Sequence, residues 1–541
     1  MEKKKVKLFS AIALVALALL VVGATYAYFQ NQYGSASNAD IKVTTYTTDV
    51  LTFETGSNIS ITAGQDDFAS GKGNKTGQTF ARATLQANNK TNTATANYYM
   101  YLNIETNTFT YTNTGTPELI LQVVDKTSGN PVTSITGLDY VTITDGKNTS
   151  ISGFDITNKK GLIALFSNKE ISASPKTIEE YTITITLVNH NFDQNINTGK
   201  NLNGKLIIQK EKMITSVSDV AKSGDNLATV LETLGTKGDS SLTGLYHHDA
   251  SLTNGAGDNS YRFAGADPNN YVCFGSDEAT CPTESLYRII GLIDGKVKLI
   301  HAYGATTTML GTNEGYVNTY QAAWSGNTSY YKGNGDLTKI GTYKWNKTRN
   351  NTWSTSTTNT INLNTNFLTY LDSKNTKWKN MIADATWYVG GMTKANAEYS
   401  NAKTAYNYEV GANKDATTTV ISKIGLMYVS EYYYGATPDY WMQPGFDENG
   451  SWNSDYTVWS GNDYSKAYND NWMSTGLFEW TISRYSTVSA SAFGVDGGGF
   501  LNVIVVGHSN GLAVRPSFSL SSSIKFTSGE GTAANPIRIN M

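Results

Sequence analysis

Cysteine, histidine, proline and charge are all scarce in this chain: 541 residues hold 2 Cys, 5 His and 9 Pro, and only 16% are Asp, Glu, Lys or Arg. Each scarcity excludes something. The two cysteines, Cys273 and Cys281, do not form a CxxC pair, so no dithiol redox motif or zinc-finger framework is written here. No H-E-x-x-H stretch occurs, and His190 is the only histidine between residues 37 and 212, whereas a catalytic zinc needs three convergent ligands. The expectation is therefore no metal and no cofactor. A net charge of −3, with basic residues bunched only at positions 3–7, leaves no electrostatic footprint for nucleic acid.

What is abundant is equally specific. Asn, Thr, Ser and Gly fill the polar positions, accompanied by 34 Tyr and 10 Trp. Such low-charge, hydroxyl- and amide-rich chains suit extended β-sheets with exposed faces working outside a cell. The N-terminus agrees. A basic start is followed by the apolar run Leu8–Val22 and by small residues at Thr25 and Ala27, the layout of an export signal cleaved after Ala27. Residues 8–27 are also long enough for an uncleaved anchor, so the membrane enters only through this segment. No L-P-x-T-G-type sorting motif closes the sequence, so covalent wall attachment by that route is not expected.

From residue 37 to 212, short β-rich runs alternate with polar turns, the pattern of a β-sandwich or jelly roll. The runs are Asp40–Tyr46, Ile59–Thr62, Ala96–Ile104, Phe109–Tyr111, Glu118–Val124, Tyr140–Thr144, Leu162–Phe166, Tyr181–Val188 and Gly204–Gln209. The A-T-Y-A-Y-F signal ending, ahead of a β-rich domain without cysteine, resembles the TasA/camelysin family of fibre-forming matrix proteins. That resemblance implies a TasA-like sandwich and a capacity for self-association; it also raises a peptidase reading, which His190 alone does not support.

Residues 213–240 read as a linker, with a helix over Ser218–Leu234 ended by Gly235. In the remainder, 241–541, Leu286–Ile293 and Lys296–Ile300 flank Asp294-Gly295, a two-residue hairpin. The even pair Cys273 and Cys281 in an exported chain predicts one local disulfide. His247-His248-Asp249 lies in an extended stretch, where neighbours point to opposite sides and cannot chelate together. Residues 363–385 predict two short helices burying Phe367, Leu368, Leu371, Trp378, Met381 and Ile382. Near the end, Ala492–Val495 and Phe500–Val506 form a hairpin across Asp496–Gly499, and Leu512 to Leu520 alternates as a strand covered on one side only.

The E-W-T of Glu479–Thr481, that hairpin, and the run from Gly511 to Leu520 (G-x-x-V-R-P-x-F-x-L) together resemble the end of a C-type-lectin-like fold. The variety is that of formylglycine-generating-enzyme-like domains of Firmicutes surface proteins. Asn270–Phe274 and Leu286–Gly291 resemble its opening strands. The implied architecture is mainly β: an N-terminal, jelly-roll-like β-sandwich followed by an α+β C-type-lectin-like domain. The resemblance gives Glu479 and Arg515 the role of a buried structural pair. The oxidase activity of those relatives uses cysteines in this region, and none follows Cys281. Gln443-Pro444-Gly445 only distantly echoes the calcium and sugar motif of true lectins, so calcium is a minor expectation.

Residues 430–475 stand apart, with aromatics crowded among Asp, Asn, Ser and Gly. Aromatic platforms beside amides and carboxylates suit stacking on sugars or docking of a protein. The ligand-binding candidates are Tyr440, Trp441, Trp452, Trp459, Tyr464 and Trp472. The functional expectation is an exported cell-surface or matrix protein that presents a binding module to a glycan or surface protein. A biofilm-fibre subunit is the alternative, and an extracellular hydrolase a third reading.

Overall fold

The computed structural model describes residues 49–88, 93–442 and 469–541. The signal or anchor and the run Asp40–Tyr46 lie outside these. The fold is mainly β, as the composition and patterning require, and the chain divides into two compact units at Met213/Ile214.

The first unit has ten strands: β1 (Val50–Thr55), β2 (Ile59–Thr62), β3 (Lys75–Gln86), β4 (Ala94–Asn107), β5 (Leu119–Asp125), β6 (Tyr140–Thr144), β7 (Ser150–Asp155), β8 (Gly161–Ala173), β9 (Lys176–Leu187) and β10 (Asn201–Gln209). They form a six-stranded sheet in the order β1-β3-β9-β5-β7-β6 and a four-stranded sheet in the order β2-β10-β4-β8. One core is shared by both. Leu85, Leu121, Ile183 and Ile185 of the first sheet meet Met100, Leu102, Ile104 and Leu202 of the second. The alternation in β9 shows why: Ile183 and Ile185 face inward while Thr182 and Thr184 stay half-exposed. Strands β1, β3 and β7 were not marked by the sequence, and Phe109–Tyr111 is not a strand. Lys75–Gln86 hides its period because its inward residues include Thr79, Ala81 and Ala83, which are too small or polar to stand out.

The second unit opens with the helix Leu227–Lys237, capped by the Asn226 side chain and running past Gly235 to end at Gly238. Its strands are β11 (Leu245–His248), β12 (Ser260–Phe263), β13 (Tyr271–Cys273), β14 (Leu286–Ile293), β15 (Lys296–His301), β16 (Tyr316–Thr319), β17 (Gly341–Tyr343), β18 (Ala385–Tyr388), β19 (Thr419–Ser422), β20 (Glu479–Arg484), β21 (Ser491–Val495), β22 (Leu501–Val505), β23 (Leu512–Ala513), β24 (Ser517–Ser519), β25 (Lys525–Ser528) and β26 (Arg538–Asn540). One sheet runs β11-β12-β14-β15-β24, with β13 beside β14; another runs β16-β17-β23-β20-β21-β22. The β14–β15 hairpin turns on Asp294 and Gly295, both at positive φ (50° and 70°), as an Asp-Gly turn demands. The two short helices predicted after residue 363 are Leu368–Lys374 and Thr376–Asn380. They are preceded by a π-helix, Thr358–Phe367, whose Asn362 and Asn366 amides both bind the Leu310 carbonyl.

The segment from Leu512 to Leu520 corrects the sequence expectation. It is not one strand with a wet face. β23 joins one sheet and β24 the other, and Ala513, Arg515 and Ser517 are as buried as Val514 and Phe518. Bridging two sheets covers it on both sides, which alternation alone cannot reveal.

Cys273 and Cys281 are disulfide-bonded. The loop between them is also held by the Lys377–Asp277 ion pair and by Arg538 donating to the Ala279 carbonyl. Closing so short a loop contributes about 2.5 kcal/mol by the chain-entropy argument. Cys281→Ser should therefore lower the urea midpoint by that equivalent at unchanged m-value. A shift below about 0.5 kcal/mol would mean that the two cationic contacts hold the loop unaided.

Candidate recognition site at the base of the aromatic loop

Of the aromatic stretch, the helix Val429–Tyr434 and the turn Pro438–Tyr440 are described on one side and the residues from Asn469 onward on the other. The candidates Trp452, Trp459 and Tyr464, with Gln443-Pro444-Gly445, lie outside the described residues. The other three candidates are placed, and the placement corrects two of them. Trp441 is 0% exposed and Trp472 is 4% exposed; only Tyr440 is half-buried.

Both tryptophans are anchors. Trp441 donates its indole N–H to the Ala436 carbonyl at 2.8 Å, and its ring is enclosed by Tyr246, His248 and Tyr434 at centroid distances of 5.6, 5.0 and 5.2 Å. Trp472 donates to the Phe263 carbonyl at 2.8 Å. Its ring takes the Arg288 guanidinium at 4.6 Å, while Tyr271 covers the same cation at 4.2 Å. A buried indole must satisfy its N–H, and each finds a backbone oxygen. The preceding tyrosines, Tyr432, Tyr433 and Tyr434, are buried as well, their hydroxyls donating to the carbonyls of Gly499, Ala397 and Asn254.

Arg288 fixes the second anchor. It donates from Nε to Asn270 Oδ1 at 2.6 Å and from Nη2 to both Asp267 Oδ1 and the Pro268 carbonyl at 2.9 Å. Burial presses this guanidinium below its ordinary value, with Tyr271 and Asp267 opposing. Lys332 reaches the same segment, with its amine 3.5 Å from the Asn471 carbonyl; burial and the Arg288 charge push that amine down to about 8. Arg288, Tyr271 and Lys332 were not singled out from the sequence. The signal was there for Arg288: a lone cation inside the apolar run Leu286–Ile293 must be paired or covered.

Glu479 and Arg515 form the buried pair, each 1% exposed at the side chain and 3.2 Å apart. The topology brings them together. β20 and β23 run parallel with Glu479 opposite Ala513, so Arg515, two residues on, returns to the same side. Arg515 also donates to the His301 carbonyl (2.9 Å) and the Met473 carbonyl (2.8 Å), tying the turn after Trp472 to both sheets. Burial raises the Glu479 carboxyl, and Arg515 pulls it back.

The remaining histidine candidates make contacts within the fold. His190 is bonded to the Pro117 carbonyl and stacked on Phe192 at 5.0 Å. His247 and His248 face opposite ways: the first stacks on Tyr261, and the second is buried. Among the described residues, no group of three His, Cys, Asp or Glu side chains is placed to hold a metal ion. No protein-family model, curated protein or solved structure matches the chain.

Proposed function

We propose that the chain is an exported bacterial surface or matrix protein whose second unit is a recognition module of C-type-lectin-like character. Its ligand is a glycan, and it binds at the aromatic stretch. One observation carries this reading: Trp441 and Trp472, which flank residues 443–468 in the chain, are both fixed in the interior of the fold. The sequence between them holds Trp452, Tyr456, Trp459, Tyr464 and Tyr468 among Asp, Asn, Ser and Gly. Fixed flanks on both sides of an aromatic, amide-rich sequence favour a stacking site for pyranose rings, because less ordering entropy is then lost on binding. Beside these flanks stand the half-buried Tyr271 and Tyr331 and the exposed carboxylate of Asp267, which supply further rings and hydrogen-bonding groups.

A glycan array probed with the exported chain, with and without calcium, tests it. Trp452→Ala and Trp459→Ala should each weaken binding about tenfold, equivalent to ~1.4 kcal/mol, at an unchanged melting temperature. An array without signal, or variants that bind as the parent does, would sink the glycan reading; capture of a protein ligand instead would redirect it.

The fibre reading has its own support. Among the described residues, the 13-residue strand β8 closes one side of the four-stranded sheet and leaves a long edge, the kind of template that pairs with another chain. Concentration-dependent fibres in electron micrographs would favour assembly, and a monomer at all concentrations would remove it.

A further inference from the structure

His248 ends β11, and its side chain is wholly buried. Its Nδ1 accepts the Ala256 backbone N–H at 3.0 Å, so the ring is neutral and carries its proton on Nε2. Nε2 is buried without a hydrogen-bond partner. The ring stands edge-on to Tyr434 (4.7 Å, 90°) and tilted over Trp441 at 5.0 Å, so its surroundings are aromatic.

The charged and titratable groups around it come from several elements. Arg262, on the adjacent β12, is 3% exposed, pairs with Asp258 at 2.6 Å and lies over Tyr434 and Tyr406 at 5.7 and 5.6 Å. Asp258 is engaged by Arg262 and by Ser260. His247 faces the other side of β11, near Asp249.

We propose that His248 is an acid-operated latch on the segment that carries Trp441, the first anchor of the aromatic stretch. The only lone pair left for a proton is on Nδ1. Protonation there sets an N–H donor against the Ala256 N–H at 3.0 Å and adds a positive charge beside Arg262 in a dry site. Asp258, the nearby carboxylate, is already committed to Arg262. The ring escapes both penalties by leaving the cage, and its departure removes one wall of the Trp441 pocket. Burial and Arg262 hold the ring well below the ordinary imidazole value, in keeping with this geometry. The sign follows: the folded value lies under the unfolded one, so the stabilisation is complete above about pH 6.5 and is lost as the pH falls.

The biological meaning of the latch rests on the glycan reading, but its test needs no ligand. Pulse-labelling hydrogen exchange on the full chain, after equilibration at a series of pH values, reads the Ala256 amide and residues 436–442. Protection there should fall at least about tenfold between neutral and about pH 4, while β20 and β21 stay protected. His248→Asn keeps an acceptor for Ala256 and cannot charge, so its protection should persist. Should that variant fail to fold, the ring nitrogens of His248 followed by NMR in the parent must titrate over the same pH range as the loss. A ring that stays neutral through the loss, or identical profiles in parent and variant, overturns the proposal. A working latch on a chain that binds no glycan would sink only the functional reading.

Discussion

Arg515→Ala should cost the second unit about 4 kcal/mol, roughly a 10 °C fall in melting temperature. The cost arises from what the substitution strands. Glu479 keeps a Thr475 hydroxyl at 3.4 Å and the more distant charge of Lys332 but loses the cation bonded to it while remaining 0% exposed. The carbonyls of His301 and Met473 lose their donor at the same time. A buried carboxylate without a partner recovers part of the loss by taking up a proton. Burial already raises the Glu479 carboxyl with Arg515 present, and without it the folded value climbs further above the unfolded one. A group of that sign stabilises fully below its unfolded value, about 4.3, and loses the contribution as the pH rises through the folded value. The gap between parent and Arg515→Ala should therefore be wider at pH 8 than at pH 5, when both are unfolded in urea. Glu479→Leu combined with Arg515→Met should cost less than Arg515→Ala alone, because no charge is then left buried. A single substitution that leaves the melting temperature unmoved would show that the pair is not what joins the two sheets.

This pair also shows how far the sequence could be read. The resemblance implied a buried pair, whereas local alternation alone set Arg515 on the polar face of its run; the parallel register of β20 with β23 is what brings Glu479 and Arg515 together. Local pattern sufficed wherever one short-range rule decides the backbone: the Asp294-Gly295 hairpin, the hairpin across Asp496–Gly499, and the threonine–isoleucine alternation of β9. It failed where neighbours in space set the outcome. Leu512–Leu520 reads as half-wet because alternation reports side-chain type and not what covers each face. Trp441 and Trp472 read as exposed platforms because loop aromatics and interior aromatics have the same composition. Only the partners separate them: carbonyl oxygens for both indole N–H groups, a cage of rings for one, and an arginine for the other. The wide turns of Thr358–Phe367 escaped for a related reason, since its asparagine side chains are held by carbonyls far along the chain.

Trp472→Ala should be the most damaging change on the aromatic stretch, about 4 kcal/mol, against less than 0.5 kcal/mol for a ring that points into water. Three losses add. The cavity left by an indole in a closed interior accounts for most of the figure, because the surrounding strands relax only in part. The Phe263 carbonyl loses its donor, and a buried acceptor without a partner costs about 1 kcal/mol or more. Arg288 loses one of its two aromatic covers and becomes open to water on that side, with its bonds to Asn270, Asp267 and Pro268 intact. That last change partly compensates, since a rehydrated guanidinium no longer pays the full penalty of burial. Trp472→Phe isolates the terms: it refills most of the cavity and keeps a ring over Arg288 but donates nothing to Phe263, so it should cost about 1.5 kcal/mol. Because Trp472 and Lys332 both hold the segment Asn471–Thr475, Trp472→Ala should also weaken the proposed glycan binding through the lost anchor. Trp452→Ala and Trp459→Ala would then weaken binding without touching stability. Urea unfolding and array binding measured on the same variants separate the two classes. A Trp472→Ala chain as stable as the parent would mean that the ring stands outside the core, as the sequence pattern first implied.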